Sequence, residues 1–254
     1  MTAAVLLGLA GLGLSACGGG SREPEVVERP VEELYNAAMD LAANRQFLTA
    51  ARAFEEVERQ HPYSVWATRS MFMAAYALYE ARRYDEAILA ARRFVDFHPG
   101  NENVPYALYL IAMSYYEQIS DVGRDQQMTA NAQQAFTDLV QRFPNSVYAR
   151  DAQLKLDLVR DHLAGKEMKV GRFYLNRRQY VAAINRFRVV LDEFQTTTHV
   201  PEALHRLVEA YTALGVRDEA FRYAVVLGYN YPGSPWYERT YRLVTDDRLP
   251  PIRS

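Results

Sequence analysis

The residues able to do covalent, acid–base or metal chemistry are few in this sequence. There is one cysteine, Cys17, and the five histidines are His61, His98, His162, His199 and His205. None of the spacings that build a catalytic or metal site occurs: no H-E-x-x-H, no C-x-x-C, no phosphate-cradling glycine loop and no G-x-S-x-G. His61 and His98 each stand directly before a proline, in a repeated slot that Phe143 and Phe194 fill elsewhere, and so read as structural. Acid pairs such as Glu32-Glu33 and Glu55-Glu56 fall on predicted exposed helix faces, not on facing walls of a cleft. The reading is therefore against an enzyme, with no metal site and no cofactor expected. A formal net charge of −2 supplies no overall field for nucleic acid.

Cys17 has a different use. Residues 1–20 carry no charge, and Val5 to Leu14 are apolar or glycine. That run is too short for a hydrocarbon core of about 30 Å but has the length of a signal-peptide h-region. It ends in Leu14-Ser15-Ala16-Cys17, which resembles the bacterial lipobox. Residues 1–16 are then a lipoprotein signal peptide, and Cys17 is the lipid anchor that takes a diacylglycerol on its thiol and an acyl chain on its freed amine. At about 0.8 kcal/mol per buried CH₂, three acyl chains hold far more firmly than one. One departure is that no Lys or Arg precedes the h-region. Gly18 in place of Asp implies, by the same resemblance, retention at the outer membrane. Residues 17–30 read as a flexible tether reaching up to about 40 Å.

What must position any binding residues is a repeat. Phe47-x-x-Ala50-x-x-x-Phe54, Tyr84-x-x-Ala87, Thr129-x-x-Ala132-x-x-x-Phe136, Tyr180-x-x-Ala183-x-x-x-Phe187 and Arg217-x-x-Ala220 align without gaps. Twelve residues after each alanine stands Pro62, Pro99, Pro144, Gln195 or Pro232. The spacings sit at or above the roughly 34 residues of a tetratricopeptide (TPR) repeat. Upstream helices supply a small residue for close approach at Ala38, Ala75, Ala112, Gly171 and Val208. A bulky residue follows three positions later, at Leu41, Leu78, Tyr115, Tyr174 and Tyr211. Ser64, Asn101, Ser146 and Ser234 are available as helix caps, and Pro105 and Pro201 fit first turns. The expected fold is all-α, a right-handed solenoid of about five TPR-type helical hairpins with a C-terminal capping helix over Pro235 to Val244. Residues 146–175 make either one long helix or two in tandem near Gly165. They are read as a joint between a front module of three repeats, 31–145, and a rear module of two repeats plus the cap, 146–254. Charge changes sign there: 12 Arg against 18 Asp and Glu in residues 21–145, then 17 Lys and Arg against 13 acids in 146–254.

In a TPR solenoid the first helix of each pair lines the concave groove. That geometry puts Tyr35, Met39, Phe72, Tyr76, Tyr79, Tyr106, Tyr109, Met113 and Tyr116 on the inner wall of the front module. Arg69 is placed to meet a terminal carboxylate. The bland alternative is that several of these rings simply pack between repeats.

The chain resembles the BamD (ComL) family, lipoprotein subunits of the outer-membrane β-barrel assembly machinery. The residues carrying the resemblance are Ser114-Tyr115-Tyr116-Glu117-Gln118-Ile119, Gly123-Arg124-Asp125-Gln126, Phe143-Pro144-Asn145-Ser146, Tyr180-Val181-Ala182-Ala183-Ile184-Asn185-Arg186 and Pro201-Glu202-Ala203-Leu204. The resemblance implies a protein on the periplasmic face of the outer membrane whose partners are unfolded outer-membrane proteins, the barrel insertase's periplasmic (POTRA-type) domains and other assembly lipoproteins. It implies substrate recognition by the front repeats and insertase docking by the rear ones. Arg177, Arg178, Arg186 and Arg188 are the docking candidates, although i,i+4 ion pairs could occupy them equally. A periplasmic TPR scaffold for cell-wall or envelope proteins is the alternative. It would share the lipobox and repeats but not the Arg124-Asp125-Gln126 loop.

Overall fold

The computed structural model describes residues 29–245. Among them the chain has eleven α-helices and no strand: α1 Val31–Ala43, α2 Phe47–Gln60, α3 Val65–Glu80, α4 Tyr84–Phe97, α5 Val104–Tyr116, α6 Gln127–Arg142, α7 Ala149–Asn176, α8 Tyr180–Glu193, α9 Val200–Ala213, α10 Arg217–Asn230 and α11 Pro235–Thr245. The predicted signal peptide, Cys17 and nearly all of the predicted tether lie outside the described residues. None of these helices is long and apolar enough to cross a membrane.

Consecutive helices pack as five antiparallel hairpins, and first helices also touch one another, α1 with α3, α3 with α5 and α7 with α9. That is the layering of a TPR-like solenoid, with first helices forming one wall and second helices backing it. The repeat residues make the joint. Ala50, Ala87, Ala132, Ala183 and Ala220 are all buried, as are Phe54, Phe136 and Phe187 four positions on. Each buried phenylalanine contributes about 1.5–3 kcal/mol of apolar transfer. The small residues of the first helices are buried too, and their sizes answer the second helix. Gly171 faces Phe187, and a Cβ on it would lie 2.4 Å from Phe187 Cε1. Val208, the largest of the set, packs with Ala220 and Ala224.

Four of the five hairpins turn in the same way. The residue after the first helix's C-cap is left-handed at Arg45 (φ 58°), Arg82 (57°), Arg178 (60°) and Gly215 (77°). In each turn two amides reach back to orphan carbonyls. For example, Arg83 N–H donates to the Leu78 carbonyl and Arg82 N–H to that of Tyr79, both at 2.9 Å. Three arginines thus hold a conformation that favours glycine. The third hairpin departs from this: α5 runs into a longer loop in which Asp121 accepts a hydrogen bond from Gly123 N–H.

The second helices also end alike. His61, His98, Phe143, Phe194 and Tyr231 are their C-cap residues, with φ between −135° and −126°. Proline next in sequence keeps its predecessor out of the α region, and Gln195 shows that the turn survives without it. Two of the four predicted caps need correcting. Ser64 accepts from Ala67 N–H at 3.1 Å, and Ser234 accepts from Trp236 N–H. Asn101 Oδ1 accepts from Asn103 N–H at 2.9 Å, one residue short of α5, and the Ser146 hydroxyl has no partner, because α5 and α7 begin later, after Asn103 and Tyr148.

Residues 149–176 form one helix of 28 residues, which settles the choice between one and two. Core packing changes hands inside it. Ala152, Leu156 and Val159 join the core shared with α3 to α6, whereas Ala164 and Met168 join that of α8 and α9.

Candidate functional site

The first helices carry a ladder of aromatic rings. Tyr35 on α1 lies 4.8 Å from Trp66 on α3, and the Arg69 guanidinium stacks over that indole at 5.2 Å. Further along α3, Phe72 and Tyr76 meet Tyr106 of α5 at 5.6 and 6.5 Å. Tyr106 and Tyr109 both pack on Tyr148, at 4.8 and 5.5 Å. The Tyr109 hydroxyl donates to Asp151 Oδ2 at 2.5 Å. Spacings of three and four residues (Phe72 to Tyr76, Tyr106 to Tyr109, Tyr148 to Asp151) keep these groups on one face of each helix, so the ladder crosses α3, α5 and the start of α7.

Most of the predicted groove residues fall on this wall and are half-buried, while Arg69 and Met39 are exposed. The rings therefore pack between repeats, the bland alternative, while each keeps part of its surface exposed. Met113 is the correction: it is 8% exposed and part of the core, because three residues past Leu110 it points between helices. Tyr79 turns toward Tyr84 of its own hairpin, 5.8 Å away. Tyr116 rests edge-on against Phe136 with Lys155 Nζ 5.3 Å from its ring centroid. Trp66, Tyr148, Asp151 and Lys155 belong to the wall, although none is among the predicted groove residues. Tyr148, Asp151 and Lys155 share a helical face, a signal hidden by treating α7 as a joint instead of as a first helix.

Burial sets the electrostatics of the wall. It pushes the Tyr106 hydroxyl up to about 12, with the neighbouring tyrosines adding to the effect. Burial, then the Glu117 carboxylate, raises Tyr79 to about 12. Tyr109 is driven higher still by burial and then by its bond to Asp151. Tyr35 and Tyr76 are raised by burial as well. The wall thus presents neutral hydroxyls and ring surface held in fixed rotamers. That combination suits an extended polypeptide, giving contact area at low entropic cost with hydroxyls to meet its backbone.

The rear arginines do not converge. Arg177 stacks on Phe173 at 4.2 Å, and Arg178 occupies the left-handed turn position. Arg186 pairs with Glu167 at 3.1 Å, facing α7. Arg188 lies on the other side of α8, near Tyr223 of α10. Only Arg177 and Arg178 share a surface, the exposed α7–α8 turn.

A family model described as outer membrane lipoprotein (YfiO) matches residues 27–226. The "Outer membrane protein assembly factor BamD" of Caulobacter vibrioides is 51% identical over 240 residues, covering 94% of this chain and 79% of that protein. The protein of the same name from Rickettsia prowazekii is 47% identical over 234 residues, covering 92% and 93%. The chain belongs to the BamD family. Among solved structures it is similar to a thermophilic TPR protein of Thermus thermophilus, with a TM-score of 0.40 and 17% identity over 85% of this chain and 99% of that one. The residues matched by the BamD-family model contain the whole aromatic wall and the α7–α8 turn, while α11 lies beyond them.

Proposed function

We propose that this chain is an outer-membrane protein assembly factor that works by binding alone, anchored through Cys17 at the periplasmic face of the outer membrane. Its front wall, from Tyr35 and Arg69 to Tyr148 and Asp151, holds an extended segment of an unfolded outer-membrane protein. Its rear helices hold the periplasmic, POTRA-type domains of the barrel insertase, with Arg177 and Arg178 as the docking positions. The observation that carries this reading is the continuous aromatic ladder across three successive first helices, within a chain of the BamD family. The acidic front and basic rear support two surfaces for two partners.

In mechanism, an extended segment laid across the ladder buries its apolar side chains against ring faces. Its carbonyls accept from the tyrosine hydroxyls, which stay protonated throughout the neutral range. Arg69, exposed and oriented by stacking on Trp66, takes a terminal carboxylate. Nothing is cleaved or transferred. Binding energy holds the client beside the insertase, which raises its effective concentration there.

The test is a mild-detergent pull-down from outer membranes with the intact chain and with Cys17→Ala. Stoichiometric recovery of a barrel protein bearing repeated periplasmic domains is expected, lost in Arg177→Glu/Arg178→Glu. Recovery of cell-wall proteins without such a barrel would overturn the reading.

A further inference from the structure

The C-terminal hairpin leaves an apolar surface that the wall and the docking turn do not use. Between α10 and α11 runs a cleft of about 710 Å³, walled by Phe221, Val225 and Tyr229 on one side and Tyr237, Tyr241 and Val244 on the other. Phe221 is 50% exposed, Val225 52%, Tyr241 56% and Tyr229 86%. The cleft stays open because α11 is fastened elsewhere. The Thr240 hydroxyl bonds His205 Nδ1 of α9 at 2.8 Å, and Trp236 packs on the His205 ring at 5.3 Å. Gly228 faces Tyr237, so α11 runs back along α10, and Arg217 and Thr245 both line the cleft.

The chain leaves α11 at that same end. Its next residues are Asp246-Asp247-Arg248-Leu249-Pro250-Pro251-Ile252. Two carboxylates come first in the sequence, and an apolar, proline-centred run follows. Paired prolines flanked by Leu and Ile are pre-set toward the extended polyproline conformation, which grooves lined by aromatic rings bind at low entropic cost. Seven extended residues reach about 23 Å, and α10 is about 21 Å long. The segment can therefore span the cleft from Arg217 to Tyr229.

We propose that this chain's own residues 246–252 occupy the α10–α11 cleft, with Asp246 and Asp247 at Arg217 and Leu249 to Ile252 against Phe221, Val225 and Tyr241. The segment would cover the apolar face and compete with any partner that uses it. This inference does not depend on the assembly reading.

The test uses the full chain with Cys17→Ser, which removes the only native thiol, and adds the pair Val225→Cys and Ile252→Cys. Under mild oxidation an intramolecular disulfide is expected, at least about tenfold faster than for the pair Leu89→Cys and Ile252→Cys, whose first member lies on α4. A tethered segment could also collide with the cleft by proximity alone. Leu249→Asp with Pro251→Asp is therefore added to the Val225/Ile252 pair, and the rate should fall several-fold. An unchanged rate in that variant would overturn the proposal, as would disulfides forming between two chains, which would make a second copy the occupant. The pair Phe221→Cys and Leu249→Cys repeats the measurement at a second register, and a rate no faster there than for the α4 control would also count against it.

Discussion

Gly171 tests whether the hairpins are held together by matched sizes at the helix crossing. In Gly171→Ala the new Cβ would lie 2.4 Å from Phe187 Cε1, 2.7 Å from Cδ1 and 2.8 Å from Cζ. Ordinary carbon–carbon contact is about 3.5–4.0 Å, so the ring must move by about 1 Å. Phe187 is fully buried and packed within the rear core, and has nowhere to go. Overpacking costs about 1–3 kcal/mol, and three ring atoms closer than 3.0 Å put this site at about 2–3 kcal/mol, against which alanine recovers about 1 kcal/mol of helix propensity. The net loss is about 1–2 kcal/mol, a fall in Tm of about 2–8 °C for a chain of this size. Gly228→Ala is the control. Its Cβ would meet Tyr237 Cε2 at 2.8 Å, but that ring is only half-buried and can swing outward. Its Tm should change little or rise. Thermal unfolding followed by circular dichroism reads both variants. The double variant Gly171→Ala/Phe187→Leu should recover part of the loss, a coupling of about 0.5 kcal/mol or more. A Gly171→Ala chain as stable as the parent, or strict additivity with Phe187→Leu, would refute the reasoning.

The left-handed turns give an opposite pair of outcomes: Arg82→Gly should stabilise and Gly215→Ala destabilise, each by about 1 kcal/mol, read from denaturant midpoints. Tyr79 and Tyr106 have folded pKa values raised above the ordinary 10 to about 12, so the folded state holds these protons more tightly than the unfolded one. Their stabilisation is complete below pH 10 and is lost as pH rises from 10 to 12, and Tm should be flat from pH 8 to 10 and fall beyond. Asp151→Asn removes the charge that Tyr109 bonds, so one tyrosine should ionise at lower pH in a near-ultraviolet titration, with the others unmoved. Thr240→Val leaves His205 Nδ1 without its partner on α11. The cost should be about 1–3 kcal/mol, with faster hydrogen exchange confined to α11 and its contact with α9.

Much of the fold was written at single positions. The repeat alanines, the phenylalanines four residues later and the prolines twelve later specify the hairpins because each answers one steric demand at a crossing or a helix end. The caps at Asn101 and Ser146 were misread because polar residues before a helix can belong to the preceding turn, and sequence alone does not mark where the first helical residue begins. Repeat geometry placed Tyr76, Tyr106 and Tyr109 on the wall but failed for Met113, which lies on the same helix one step round toward the core. Tyr148 and Asp151 were missed because the pattern around them was read as a connection between modules. The rear arginines were chosen by charge, and charge does not reveal direction: Arg186 and Arg188 are two residues apart, and the helix sends them to opposite sides.

The most direct measurement is the affinity of the lipid-free mature chain for a fluorescent peptide copied from the C-terminal strand of an outer-membrane barrel protein, followed by anisotropy. Tyr76→Ala and Arg69→Glu should each weaken binding about 5- to 30-fold, the range expected for a central aromatic or arginine contact. Arg177→Glu should bind the peptide as the parent does. Unchanged affinity in both front variants, or a loss confined to Arg177→Glu, would contradict the claim that the aromatic wall of the first helices receives the client.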